Sequence, residues 1–296
     1  MSDVAQAGHK GPPYESAPRR AADLGSPSFL AGAARVFDLS LGEMLWSRRT
    51  IFMALIVGSP VLLAIVARVI QAIGIAPLRV NGVPVDAASV FGMMIWVLFL
   101  RFIVPVLGVF YGTALIADEV DDKTITYLFT RPIRRGAVLV GKYLAYLVCT
   151  TFVVLPAVVV VYFLIVPLSE VAGSFLWLVT DLGLLAIGIA SYGALFALVG
   201  AVMKRPLVVG LIFAFGWEQI AMLMPGYLRR FTIAHYVQAL VPHAMPAESG
   251  VSSLLQSVFS ETPATSTSLL VLTLVTAGSL LLAARAVERR EYVLEQ

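Results

Sequence analysis

Six apolar runs, each long enough to cross a lipid bilayer as a helix, dominate this chain: about Thr50–Ile73, Ser89–Ala117, Ala137–Val166, Phe175–Val202, Pro206–Met224 and Ser268–Ala286. A hydrocarbon core ~30 Å thick takes roughly 20 apolar residues per helical crossing. Helices suit that setting because every backbone N–H and C=O in lipid must be bonded within the structure. Charged residues make up only 13% of the 296, and they cluster between the runs; a soluble domain carries about twice that share. The second to fourth runs exceed the minimum, so they are expected to tilt or to extend past the lipid. No strand-like alternation runs through them, which argues against a β-barrel. The expected fold is an all-α integral membrane protein with six transmembrane helices.

Lys and Arg gather before span one, between spans two and three, between four and five, and after six. The alternate loops hold only Arg79, Arg229 and Arg230. The positive-inside rule then puts both termini in the cytoplasm, in a multi-pass protein of the plasma (inner) membrane. Residues 1–27, rich in Ala, Gly, Pro and Ser, read as a disordered cytosolic tail. Residues 28–49 read as an amphipathic interfacial helix with Phe37, Leu41, Met44 and Leu45 on one face; the plainer alternative is a cytosolic extension of span one. Residues 50–296 form the six-helix domain, with a cytosolic segment at 118–136 and an extracytoplasmic one at 225–267. Within the latter, "YLRRFTIAHYVQAL" is expected to cap the outer mouth as a short amphipathic helix. Span four carries small residues at Ala186, Ala190 and Ala194, with Gly193, Ala197 and Ala201 beside them, a pattern that lets helices approach closely.

Several function classes are disfavoured. The single cysteine, Cys149, excludes an intrachain disulfide or a Cys-based metal site. His9, His235 and His243 have no metal-ligand company, Ser59 has no histidine partner, and neither a secretory signal peptide nor a nucleic-acid motif is visible. Gly136 to Tyr143 reads G-x-x-x-x-G-K-Y, one residue short of a P-loop. Tyr143 replaces the Ser or Thr that holds magnesium, apolar Ala-Val-Leu-Val fills the loop, and the following helix enters the membrane. No cofactor is expected in this chain.

The stretch "DEVDDKTITYLFTRPIRR" remains to be explained. Its acids Asp118, Glu119, Asp121 and Asp122 suit the start of a short helix. "TITYLF" supplies apolar bulk, Pro132 ends it, and Arg131, Arg134 and Arg135 lie near the anionic inner leaflet. Physics alone leaves two readings: a rigid amphipathic knuckle that meets a partner, or a solvated loop with positive anchors.

The arrangement E-V-D-D-K-T-I-T-Y-L-F-T-R-P-I-R-R-x5-G-K resembles the cytosolic motif of ABC-2-type ABC transporter permeases, through Glu119, Thr124, Ile125, Leu128, Pro132, Arg135, Gly141 and Lys142. Lys123 departs from it, where the family commonly has Gly. Trp217 to Leu240 resembles the fifth-span and outer-segment region of the same family. The resemblance implies an ABC-2 (type V exporter-like) architecture and a non-catalytic subunit. It also implies a coupling helix, with Glu119, Asp122, Lys123, Thr124, Ile125, Leu128, Arg131, Pro132, Arg134 and Arg135 seated against a cytosolic ABC ATPase that carries ATP and Mg. A second permease copy, identical or similar, would complete the pathway among the membrane lipids.

Arg101 lies near the middle of span two and Glu218 two-thirds across span five, at similar depth by ~1.5 Å per residue. Buried charges in lipid are paired or face water, so an Arg101–Glu218 pair, within one subunit or across a dimer seam, is expected. Arg68 is expected to snorkel. Two other classes stay open: a proton-coupled secondary transporter using Asp181 and Glu218, and a membrane scaffold that transports nothing.

Overall fold

The structure, a computed structural model, describes residues 28–73, 79–80, 83–84, 87–121, 135–223, 227–241 and 263–289. The first helix, α1 (Phe29–Leu45), is capped by Ser28, whose hydroxyl accepts from the Ala31 amide at 3.4 Å. Where α1 gives way to α2 (Arg48–Ala72), the Ser47 hydroxyl (3.1 Å) and the Thr50 hydroxyl donate to the Met44 carbonyl. Side-chain hydroxyls thus satisfy a carbonyl that the end of a helix leaves open. A two-residue antiparallel ladder, β1 (Arg79–Val80) with β2 (Val83–Pro84), lies between α2 and α3.

α3 (Ala87–Ala117, helical on to Asp121) is not a uniform α-helix. Its turns widen to π-helix over Ile95–Ile103 and Gly108–Gly112, on either side of Pro105, which cannot donate to the ladder. Single π turns are common at functional sites. α4 (Arg135–Ile165) and α5 (Val171–Val202) follow, joined by a turn at Pro167. That turn is fixed by the Tyr162 hydroxyl, 2.7 Å from the Ser174 hydroxyl, which also bonds the Glu170 carbonyl at 2.9 Å.

Five helices among the described residues are long and apolar enough to cross a membrane: α2 from Arg49, α3, α4, α5 and α8 (Thr265–Arg289). The run expected as span five forms α6 (Pro206–Leu223), whose turns over Ile212–Trp217 are π-helical and whose apolar stretch, Pro206–Ala221, is shorter than those of the other five.

The core lies along the seam of α3, α4 and α5. In the most apolar stretches of α3 and α5, 56% of residues are buried, against 22% in α2 and α8. The latter two carry exposed leucines such as Leu55, Leu62, Leu274 and Leu281, as lipid-facing helices do. Glycines let the seam close. A Cβ on Gly108 would lie 2.9 Å from that of Tyr192, and one on Gly112 would lie 2.9 Å from that of Phe196. A Cβ on Gly193 would fall within the Tyr146 ring. Tyr146 and Tyr143 donate from α4 to the Ile189 (3.1 Å) and Ala190 (2.9 Å) carbonyls of α5. The small-residue stripe in α5 is thus partly as expected: Gly193, Ala194, Ala197 and Ala201 are buried, whereas Ala186 and Ala190 are half-buried.

The face of α1 that packs closest is the small set Gly32, Ala33, Val36 and Ser40; Leu41 and Met44 of the expected apolar face also pack against the core, while Leu45 is exposed. The cause is Gly141, which brings α4 so close that a Cβ there would stand 2.6 Å from the Ala33 carbonyl oxygen. Gly136 to Tyr143, the P-loop-like stretch, is accordingly the opening of α4 and serves helix packing. The segment expected to cap the outer mouth turns an apolar face to the bundle. The 3-10 turn Tyr227–Phe231 leads into α7 (Ile233–Gln238), and Ile233, Val237, Leu240 and Val241 join the main apolar core.

Candidate functional site

Two stretches compete as the working part of the chain: the charged segment between α3 and α4, and a polar group at mid-bundle. Of the first, the structure shows the approaches. α3 runs on helically through Ala114–Asp121, which places the backbone of Glu119, and Arg135 opens α4, half-buried. Asp122, Lys123, Thr124, Ile125, Leu128, Arg131, Pro132 and Arg134 lie outside the described residues. The approaches are firmly seated: a Cβ on Gly200 of α5 would overlap the Thr113 carbonyl of α3, and the Thr113 hydroxyl itself donates to the Val109 carbonyl at 2.5 Å. At the start of α4, a Cβ on Gly136 would stand 3.0 Å from Glu288 Oε1 of α8.

The polar group is described in full. Glu218, 2% exposed, accepts from the Tyr192 hydroxyl at 2.5 Å through Oε2 and from the Ile233 amide at 3.1 Å through Oε1, with the Ala234 amide as a further donor. Those two amides belong to the first turn of α7, where N–H groups lack intrahelical partners. A carboxylate there meets both the open donors and the positive end of the helix. Thr232 completes the cap, its hydroxyl accepting from the His235 amide at 3.3 Å.

Arg101 does not reach Glu218. Its Nε (2.9 Å) and Nη2 (2.5 Å) both donate to Gln219 Oε1, and its guanidinium carbon stands 5.7 Å over the Trp96 ring. Arg101 is thus bonded directly to the neighbour of Glu218 and acts on the Glu218 carboxylate itself through space. Positions 218 and 219 are similar in depth but ~100° apart around a 3.6-residue helix. One faces α5 and α7, and the other faces α3. A cavity of about 20 Å³ beside Arg101 is lined by Trp96, Leu100 and Gln238, whose Oε1 is buried with no partner among the described residues. It has room for a single water. On the far side of α5, Ser191 and Thr276 of α8 share a hydrogen bond of 3.1 Å.

Sequence reasoning found Arg101 and Glu218 because they are charges in apolar runs, and missed Tyr192, Gln219 and the α7 amides. The nearest signal was the adjacency of Glu218 and Gln219. Asp181 is buried in α5 and Arg68 is exposed on α2. Among the described residues no group of His, Cys, Asp and Glu could hold a metal. Chemically, the mid-bundle carboxylate is surrounded by donors and positions a folded-back segment.

No curated protein matches the chain. The profile of a family described as ABC-2 family transporter protein matches residues 99–292, well over half of the 296. The matched region takes in the second half of α3, the charged segment, α4 to α7 and all of α8. Multiple bilayer-length helices, a charged segment between two of them, and this match agree: the chain belongs to the ABC-2 family and is a transmembrane permease of the ABC transporter class.

Proposed function

We propose that this chain is the membrane-spanning subunit of an exporter driven by a separate cytosolic ABC ATPase, and that residues 118–136 are the element on which the ATPase acts. The observation that carries this reading is the seating of the two helices that flank the segment. α3 meets α5 through Gly108, Gly112 and Gly200, and α4 meets α1 and α5 through Gly141 and Gly193. Helices packed this closely cannot move their ends without moving the bundle, because interiors are dense and weakly compressible. A displacement of the segment is then a displacement of the pathway. It drives transport only if the two nucleotide states of the ATPase contact the segment differently, since equal contact shifts no equilibrium.

In this reading both termini and the segment face the cytoplasm of the plasma membrane, and ATP and Mg²⁺ sit on the partner. A second permease, a copy or a similar chain, supplies the other half of the path. The proton-coupled alternative loses ground because the Glu218 carboxylate is engaged by a hydroxyl and two amides.

Glu119→Ala with Arg135→Ala tests the assignment. After co-purification with the cognate ATPase, the variant is expected to retain assembled permease and to lose substrate-stimulated ATP hydrolysis. Wild-type stimulation with unchanged binding would remove the segment from the mechanism.

A further inference from the structure

A second cavity, of about 330 Å³, lies where the start of α2, the end of α3 and the turn from α5 to α6 converge. That volume is within the ~300–1,000 Å³ usual for ligand sites. Three cations line it from two separate elements: Arg49 from α2, and Lys204 with Arg205 from the turn. No carboxylate is among its described lining residues. Its wall includes Tyr111, 3% exposed, whose hydroxyl lies beside that of Thr50, which donates to the Met44 carbonyl and keeps lone pairs to accept.

The rest of the lining is apolar. Phe52 and Phe110 pack with ring centroids 5.1 Å apart, and Phe52, Leu207 and Val208 are exposed on the outer surface of the bundle. The site is therefore cationic at the helix ends and hydrocarbon-like along the helix sides. A soluble anion would use only the first half of that surface. A phospholipid uses both, with its phosphate on the cations and its chains along α2 and α6.

We propose that this cavity binds the phosphate headgroup of an anionic phospholipid, in the leaflet on the side of Arg135 and Arg289. Basic pockets between membrane helices bind such headgroups by this combination of charge and shape. In the complex the exposed Lys204 and Arg205 hold the phosphate oxygens, with Arg49 adding positive charge from α2. The headgroup then bridges α3 to the α5–α6 turn beside Ala117, where the charged segment begins. The inference does not depend on the coupling role of that segment.

The test uses the full-length chain in neutral detergent, with lipid adducts counted by native mass spectrometry and thermal unfolding followed on titration. Phosphatidylglycerol is expected to bind and to raise the unfolding temperature, with phosphatidylcholine and inorganic phosphate doing neither. Lys204→Gln with Arg205→Gln should weaken phosphatidylglycerol about thirtyfold, the combined effect of two cations at a membrane surface. The charge-keeping exchange Lys204→Arg with Arg205→Lys should retain binding. So should Arg35→Gln with Arg285→Gln, which removes two exposed cations elsewhere. Equal binding of phosphatidylcholine, or equal loss in the Arg35 and Arg285 variant, would overturn the site. Inorganic phosphate acting as strongly as the lipid would reassign it to a soluble anion.

Discussion

Glu218 ties together several parts of this bundle, and its role follows from its partners. Its two oxygens take the Tyr192 hydroxyl from α5 and the leading amides of α7, so one side chain ties three elements. Glu218→Ala leaves those donors buried with no acceptor. It should destabilise the chain by roughly 1–3 kcal/mol, read as a lower unfolding temperature in detergent. Tyr192→Phe added to Glu218→Ala removes one stranded donor and should recover part of the loss, because deleting both partners is milder than deleting one. Glu218→Gln keeps one oxygen for the α7 amides and offers an N–H to the Tyr192 oxygen, so it should lie between wild type and Glu218→Ala. ATP-driven transport that survives in Glu218→Gln would mark the carboxylate as structural. Transport abolished in a variant that still unfolds at the wild-type temperature would restore the proton-carrier reading.

At the level of elements, contact between α4 and α5 depends on a missing side chain. The Tyr146 ring occupies the space in which a Cβ on Gly193 would stand, and its hydroxyl reaches the Ile189 carbonyl at 3.1 Å only from there. Gly193→Ala should therefore expel the ring, break that bond and cost about 1–3 kcal/mol as an overpacked core does. Gly173→Ala near the start of the same helix, where a Cβ meets nothing within 4 Å, should be neutral or slightly stabilising. Thermal unfolding of the two variants side by side separates close packing from helix propensity. This contrast also marks how far the sequence could be read. Long apolar runs announce helices because bilayer thickness sets their length, and α2 to α5 and α8 fall close to the expected boundaries. Arg101 and Glu218 were visible as charges in apolar surroundings, but counting along a helix gives depth and not azimuth. The direct bonds from Arg101 to Gln219 therefore could not be read. The π turns of α3 and α6 have no composition of their own, and without them the facing of those two positions cannot be derived. The amphipathic pattern of α7 likewise announces a helix with one apolar face but not the bond from its leading amide to Glu218.

Across the whole molecule, the levels of the polar contacts indicate how the chain is threaded. Tyr192 lies ~15 Å from the Val202 end of α5, and Glu218 ~18 Å from the Pro206 end of α6, at ~1.5 Å per residue. Since α5 and α6 meet at the Lys204–Arg205 turn, the two side chains stand at similar height, as their 2.5 Å contact requires. The Ile233 amide shares that height because it bonds the same carboxylate. After α6 the chain has therefore turned and come back into the bundle before it leaves for α8. This path makes α6 the arm that decides whether 242–262 lies on the far side of the membrane from 122–134. If α6 and its returning turn form a crossing, the two stretches are on opposite sides and both termini share one. If they enter and leave by the same face, the number of crossings is odd and the termini are separated. Cysteine labelling distinguishes these cases, helped by the fact that Cys149 is the only native thiol and is buried in α4. In a Cys149→Ser background, Ser252→Cys should react with a membrane-impermeant maleimide in intact cells, and Lys123→Cys only after permeabilisation. Labelling of both from outside would remove residues 118–136 from the reach of any cytosolic ATPase. Protection of both in intact cells would require that α6 does not cross, and the permease would then have to be reconsidered as a five-span chain with its ends on opposite sides.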